Sequence, residues 1–177
     1  MKTHEIDICG QRLHLLLNGS ALFDLYDKFG PDGFLTDHLK GGTKKSFEAT
    51  CYFLFKLAEQ GELYRRWEGQ ARGPVLSEQF FRVHLAPREV NRAKDAIVEA
   101  VRLGFQREEA EDKDLDLGLL ELQKKNGTGG MTRALWLQLL TQFLRLSVRE
   151  GLLLTPGQVM DLQELEERRR GLKREEG

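Results

Sequence analysis

Residues 43–67 read TKKSFEATCYFLFKLAEQGELYRRW, and this stretch decides the fold. Apolar residues recur there at the spacing of one helical face, at Phe47, Cys51, Leu54 and Ala58. Further apolar residues widen that stripe, namely Tyr52, Phe53, Phe55 and Leu57. A helix that is apolar over most of its circumference must be surrounded by other elements. We therefore predict a central helix with Thr43 and Ser46 as candidate caps of its first turn, with the four stripe residues buried and with Gly61 as a stop or a bend.

The composition is that of an ordinary globular protein. The chain has 177 residues, of which 40% are hydrophobic and 31% charged, and its formal net charge is -1. No run approaches the ~18 apolar residues of a membrane span, and residues 1–10 lack the apolar segment of a signal peptide. Cys9 and Cys51 indicate reduced thiols of a cytosolic protein. The charge balance gives no reason to expect binding to nucleic acid or to a membrane.

The N-terminus is typical of a β-hairpin. Apolar and polar residues alternate from Glu5 to Ile8 and again from Arg12 to Leu17. Gly10-Gln11 between the two runs favours a type II′ turn, which takes glycine at its first central position.

Short helices are predicted on both sides of the central helix. Their limits follow from capping residues, glycines and prolines. The predicted limits are a cap within Asn18-Gly19-Ser20 and a stop at Gly30-Pro31, one helical turn at 34–39, an N-cap at Ser77, a helix start at Pro87 and a stop at Gly104.

The composition changes after Gly104. Residues 105–130 are acidic and then rich in glycine, which is typical of a flexible linker. We therefore predict three parts: a hairpin and helical domain at 1–104, a linker at 105–130, and a C-terminal helical extension with a charged tail at 131–177. The fold class is mainly α with a small N-terminal hairpin.

The extension carries more apolar surface than two helices can bury alone. We predict a first helix from Thr132 to Gly151 and a second one that Thr155 caps and Pro156 begins. Either the extension docks on the first domain or it offers this surface to a partner, and the sequence leaves both alternatives open. The candidate partner-binding residues are Trp136, Leu137, Leu140, Phe143, Leu144, Thr155, Pro156, Val159, Met160 and Leu162.

No catalytic, cofactor or metal site is predicted. Three possible ligands on the hairpin lack a fourth at a zinc-like spacing, namely His4, Cys9 and His14. Residues 112–116 imitate the start of an EF-hand loop, but Leu117 stands where that loop needs glycine. Cys51 lies among apolar neighbours and is interpreted as a small core residue. The sequence therefore favours a protein that is not an enzyme.

A second interpretation concerns residues 77–104. Two short helices there have the layout of a helix-turn-helix. Its candidate phosphate contacts are Arg82, Arg88, Arg92, Lys94 and Arg102. Acidic residues interleave with these bases, so a solvated helix surface is favoured. A small helical DNA-binding regulator is the alternative function.

Two stretches and the overall layout resemble a known family. Residues 152–162 read LLLTPGQVMDL, and residues 76–104 read LSEQFFRVHLAPREVNRAKDAIVEAVRLG. Together with the hairpin, the helical domain, the acidic glycine-rich joint and the short helical extension, they resemble the tail assembly chaperones of long-tailed bacteriophages. The resemblance is in layout over the whole length.

The resemblance implies a function without catalysis. Such chaperones occur as a short product and as a longer product of programmed translational frameshifting, and this chain resembles the longer one. The first domain would bind the tape-measure protein, and the extension would recruit tail-tube subunits. The protein would act in the host cytoplasm, be absent from the mature virion, and be compatible with a homo-oligomer. A chain ending near Lys125 would then fold and bind the tape-measure protein but lose the tube subunit.

Overall fold

The computed structural model describes residues 3–30, 35–70, 72–107 and 133–170. The predicted fold class is confirmed, because the described residues form seven α-helices and one two-stranded antiparallel hairpin. The elements are β1 (His4–Ile8), β2 (Gln11–Leu15), α1 (Gly19–Phe29), α2 (Lys44–Trp67), α3 (Glu78–His84), α4 (Val90–Phe105), α5 (Arg133–Gln138), α6 (Val148–Leu153) and α7 (Pro156–Arg169). Short 3-10 turns occupy Leu35–Leu39 and Pro87–Glu89, and a π-helical turn at Leu139–Phe143 extends α5.

The hairpin turn lies one residue earlier than predicted. Ile8 pairs with Gln11, so the two turn residues are Cys9 and Gly10, with φ of 52° and 70°. Positive φ at both positions is the condition of a type I′ turn, whose twist matches that of the strands. The predicted Gly10-Gln11 turn is therefore wrong. The sequence did not indicate a turn at Cys9 because a cysteine in the left-handed region is uncommon.

Helix α2 forms the centre of the fold and packs against α1, α3, α4 and β2. Of the two predicted caps, Thr43 is the N-cap, since Ser46 N donates to Thr43 Oγ1 over 3.2 Å. The predicted burial of Cys51, Leu54 and Ala58 is confirmed. The prediction for Phe47 is wrong, because this residue is only partly buried at the edge of the core.

Three glycines at predicted helix limits lie where elements approach closely. Gly61, predicted as a stop or a bend, and Gly151, predicted as a stop, lie inside α2 and α6, and α4 ends one residue after the predicted stop Gly104. A Cβ atom at Gly61 would lie 1.7 Å from the carbonyl oxygen of His14, and one at Gly104 would lie 2.7 Å from Leu17 Cβ. A Cβ atom at Gly151 would lie 2.4 Å from Leu140 Cδ1. These glycines therefore permit close packing between elements.

The other predicted caps are confirmed. Asn18, Ser77 and Thr155 each accept a backbone N–H in the first turn of the helix that follows, and Pro156 is the first residue of α7. The predicted single helix up to Gly151 is wrong. It ends after Phe143, and Ser147 caps the separate helix α6. The predicted cap Thr132 and the linker from residue 108 onward lie outside the described residues.

The C-terminal helices pack against α1 and α4. Gly19 N donates to Leu154 O over 2.9 Å, which joins the start of α1 to the end of α6. A Cβ atom at Gly157 would lie 2.3 Å from Gln106 O, so α7 begins close to the end of α4. Of the helices in the described ranges, none combines the length and the apolar character that crossing a bilayer requires.

Candidate interaction surface

Trp136 anchors the C-terminal helices on α1. Its ring meets that of Phe23 edge-on, with 5.8 Å between centroids, and only 3% of Trp136 is exposed. Arg133, one turn earlier, lies over the same phenylalanine ring at 5.8 Å. The buried Trp136 Nε1 has no hydrogen-bond partner among the described residues. An unpaired buried donor costs about 1–3 kcal/mol, so this contact rests on apolar packing.

An ionic contact joins α7 to the end of α4. Arg107 Nε donates to Asp161 over 2.6 Å, and its terminal nitrogen donates to Glu164. Because Asp161 is buried, its charge needs such a partner. The contact of the C-terminal helices with α1 and α4, called the dock below, therefore combines an apolar contact at Trp136 with a charge-assisted one at Arg107.

The candidate partner-binding residues divide into two groups. Five of them are buried and form the dock, namely Trp136, Leu140, Thr155, Pro156 and Val159. The others are partly buried or exposed, namely Leu137, Phe143, Leu144, Met160 and Leu162. In this conformation only the second group presents apolar surface to a partner.

A shallow groove of about 420 Å³ runs between α5 and α7. Its apolar residues lie on one face of α5 and of the π-helical turn, and they are Leu135, Leu139 and Phe143. Its polar residues are Gln138, Gln142, Gln163 and Arg170. Leu135 is 51% exposed, which is unusual for so large an apolar side chain inside a groove.

The charge near the groove is compensated. The guanidinium of Arg170 lies 4.3 Å over the Phe143 ring and donates to Phe143 O. It also pairs with Glu166, whose pKa is lowered to about 2 by hydrogen bonds from Arg169 and Arg170. The groove is therefore lined by apolar side chains and by glutamine amides. Such a lining suits the apolar side chains and backbone groups of a partner protein better than it suits an ion.

Leu135 and Leu165 are exposed and Leu139 is partly buried, and none of the three is among the predicted partner-binding residues. Leu135 and Leu139 were detectable, because they repeat at i, i+4 one residue before the buried pair Trp136 and Leu140. Two adjacent stripes on one helix predict one buried face and one exposed apolar face. The sequence alone could not tell which of the two stripes faces the core.

The two thiols are held in their protonated form. Burial raises the pKa of Cys51 to about 11, and burial with the nearby Glu89 raises that of Cys9 to about 11. At neutral pH each is therefore a weak nucleophile. Across the ranges 3–30, 35–70, 72–107 and 133–170, no cluster of three or more His, Cys, Asp or Glu side chains is arranged to hold a metal ion.

The candidate DNA contacts at 77–104 are largely engaged within the chain. Arg82 pairs with Glu78 and Glu48, and Arg102 pairs with Glu99. The ammonium group of Lys94 donates to the carbonyl of Gly41 and to Ser46, and is thereby held at the start of α2. Arg88 and Arg92 remain on the surface. DNA binding stays an untested alternative.

Comparison with known proteins gave no match. No family model, no curated protein and no solved structure resembles this chain closely enough to be counted as similar.

Proposed function

We propose that this protein is a tail assembly chaperone of a long-tailed bacteriophage, in the frameshift-extended form. It binds the tape-measure protein and recruits tail-tube subunits while the tail is built. It acts in the host cytoplasm and is absent from the mature virion. The tape-measure part of this proposal is supported by the resemblance in layout.

The observation that carries the proposal is the groove between α5 and α7. Three large apolar side chains, Leu135, Leu139 and Phe143, line it over about 12 Å of helix. This length fits a two-turn amphipathic helix or a short strand of a partner protein. The groove lies in the extension, which is the part that the resemblance assigns to the tube subunit.

A binding experiment with two purified partners tests the proposal. The full chain is immobilised and offered the tape-measure protein and the tube protein of the same phage. We expect both to bind. We expect the double variant Leu135→Asp with Phe143→Asp to weaken binding of the tube protein at least tenfold and to leave binding of the tape-measure protein unchanged. Val98→Asp is the matched control, because Val98 is 46% exposed on α4 and lies outside the groove.

Salt dependence separates this function from DNA binding. A DNA-binding regulator loses affinity steeply as salt rises, because phosphate contacts release counterions. An apolar groove gives binding that changes little between low and high salt. Tight, salt-sensitive binding to duplex DNA, without binding to either tail protein, would contradict the chaperone proposal and support a DNA-binding regulator.

A further inference from the structure

The solvent face of α2 carries a row of large apolar residues. Tyr52, Phe55, Leu63 and Trp67 lie along it with Glu59, at successive spacings of three and four residues. Trp67 is 75% exposed and Leu63 is 45% exposed. A tryptophan so exposed at the end of an apolar row is typical of a binding surface.

The aromatic members of this row are already ordered. The rings of Tyr52 and Phe55 meet edge-on at 6.2 Å, and Tyr64 lies beside Trp67 at 6.0 Å. The ammonium group of Lys28 lies 5.3 Å over the ring of Tyr52. Side chains that are held before binding lose less conformational entropy when a partner arrives.

At each end of the row lies one charged residue without an ion pair among the described residues, and the two residues have opposite signs. Near the middle, Lys56 pairs with Asp24 at 2.8 Å and with Glu59 at 3.3 Å. At the Tyr52 end, Lys28 has no ion pair among the described residues. At the other end, Glu68 accepts from the Tyr64 hydroxyl and from Gln70, and pairs with no cation in the described ranges.

We propose that this face binds a second copy of the chain, with the two α2 helices antiparallel across a two-fold axis near Glu59. A surface with opposite charges at its two ends is complementary to itself in that orientation. Trp67 of each copy then lies on Tyr52 of the other, and Lys28 lies beside Glu68 of the other copy. The row runs over sixteen residues, from Tyr52 to Trp67, or about 22 Å along the helix axis.

The oligomeric state of the full chain tests the proposal, and the result does not depend on any tail protein. Mass in solution is measured by light scattering over about a hundredfold range of concentration. We expect a concentration-dependent dimer, and we expect Trp67→Ala to weaken it at least tenfold. Val98→Ala, which shortens an exposed apolar side chain on α4, should leave it unchanged. A chain that stays monomeric, or a dimer that is indifferent to Trp67→Ala, overturns the proposal.

Charge reversal tests the antiparallel register. Lys28→Glu and Glu68→Lys should each weaken the dimer several-fold, because each leaves like charges face to face. The double variant should restore it, because the pair is re-formed in the opposite sense. Both residues are exposed, so thermal melting should show that all three variants fold. A double variant as weak as either single one contradicts the register.

Discussion

The indole ring of Trp136 meets the phenyl ring of Phe23 edge-on, with an angle of 80° between their planes. These residues are more than a hundred positions apart in sequence, and both are buried. The contact joins the C-terminal helices to α1 and removes from solvent the apolar residue that looked most suited to bind a partner.

Trp136→Ala should therefore lower the stability of the whole chain. Removing a buried tryptophan costs about 3–5 kcal/mol, through lost burial and the cavity left behind. Trp136→Phe should cost clearly less, because the unpaired indole N–H disappears with the substitution. Chemical denaturation of the three proteins measures both effects. An unchanged unfolding midpoint for Trp136→Ala would mean that the helices do not dock in solution.

The same contact changes the expectation for a chain that ends at Lys125. Removing the extension uncovers Phe23 and the start of α1, which Leu154 contacts through the Gly19 N–H. We expect such a chain to melt at a lower temperature than the full chain and to bind an apolar dye. Melting temperatures equal within error would show that the first domain does not need this cover.

The close approach of β2 to α2 predicts a large effect at one glycine. Gly61→Ala places a Cβ atom on the carbonyl oxygen of His14, at 1.7 Å, so backbone must move. We expect a loss of more than about 2 kcal/mol in unfolding free energy. Gly42→Ala is the matched control, because nothing lies within 4 Å of its Cβ position. Equal small effects at both sites would contradict the packing of the hairpin on α2.

Stability should depend on pH through His14. Burial, and then the nearby positive charge of Arg65, lower the pKa of His14 in the folded protein below its ordinary value of 6.5. The unfolded chain therefore binds this proton at a higher pH than the folded one. The contribution of His14 is complete above pH 6.5 and is lost as the pH falls below it. His14→Gln should thus lose less stability between pH 7.5 and pH 5.5 than the parent chain, and an equal loss would refute this assignment.

Local signals were predictable from the sequence, and close contacts were not. Thr43, Ser77 and Thr155 were identified as caps because a cap depends on residues within one turn. Gly61 was predicted as a stop or a bend and Gly104 as a stop, but each one also admits a neighbouring element that is distant in sequence. Glycine serves both purposes, and only the tertiary structure shows which one applies.

The same limit applies to the candidate site. The sequence identified the extension as unusually apolar, and the structure places half of the chosen residues in the dock. Trp136 was chosen as an anchor because large aromatics dominate interfaces, and it does anchor an interface, but within the chain. The neighbouring apolar face, with Leu135 exposed and Leu139 partly buried, follows only once the buried face is known.

The most direct test of the central proposal is a sequential binding measurement. The tape-measure protein is fixed to a sensor, the full chain is bound to it, and the tube protein is then added. We predict that the tube protein binds only to the loaded sensor. We also predict that a chain with Leu135→Asp and Phe143→Asp loads normally and recruits no tube protein. A full chain that fails to load, or that loads without recruiting the tube protein, would contradict the proposed function.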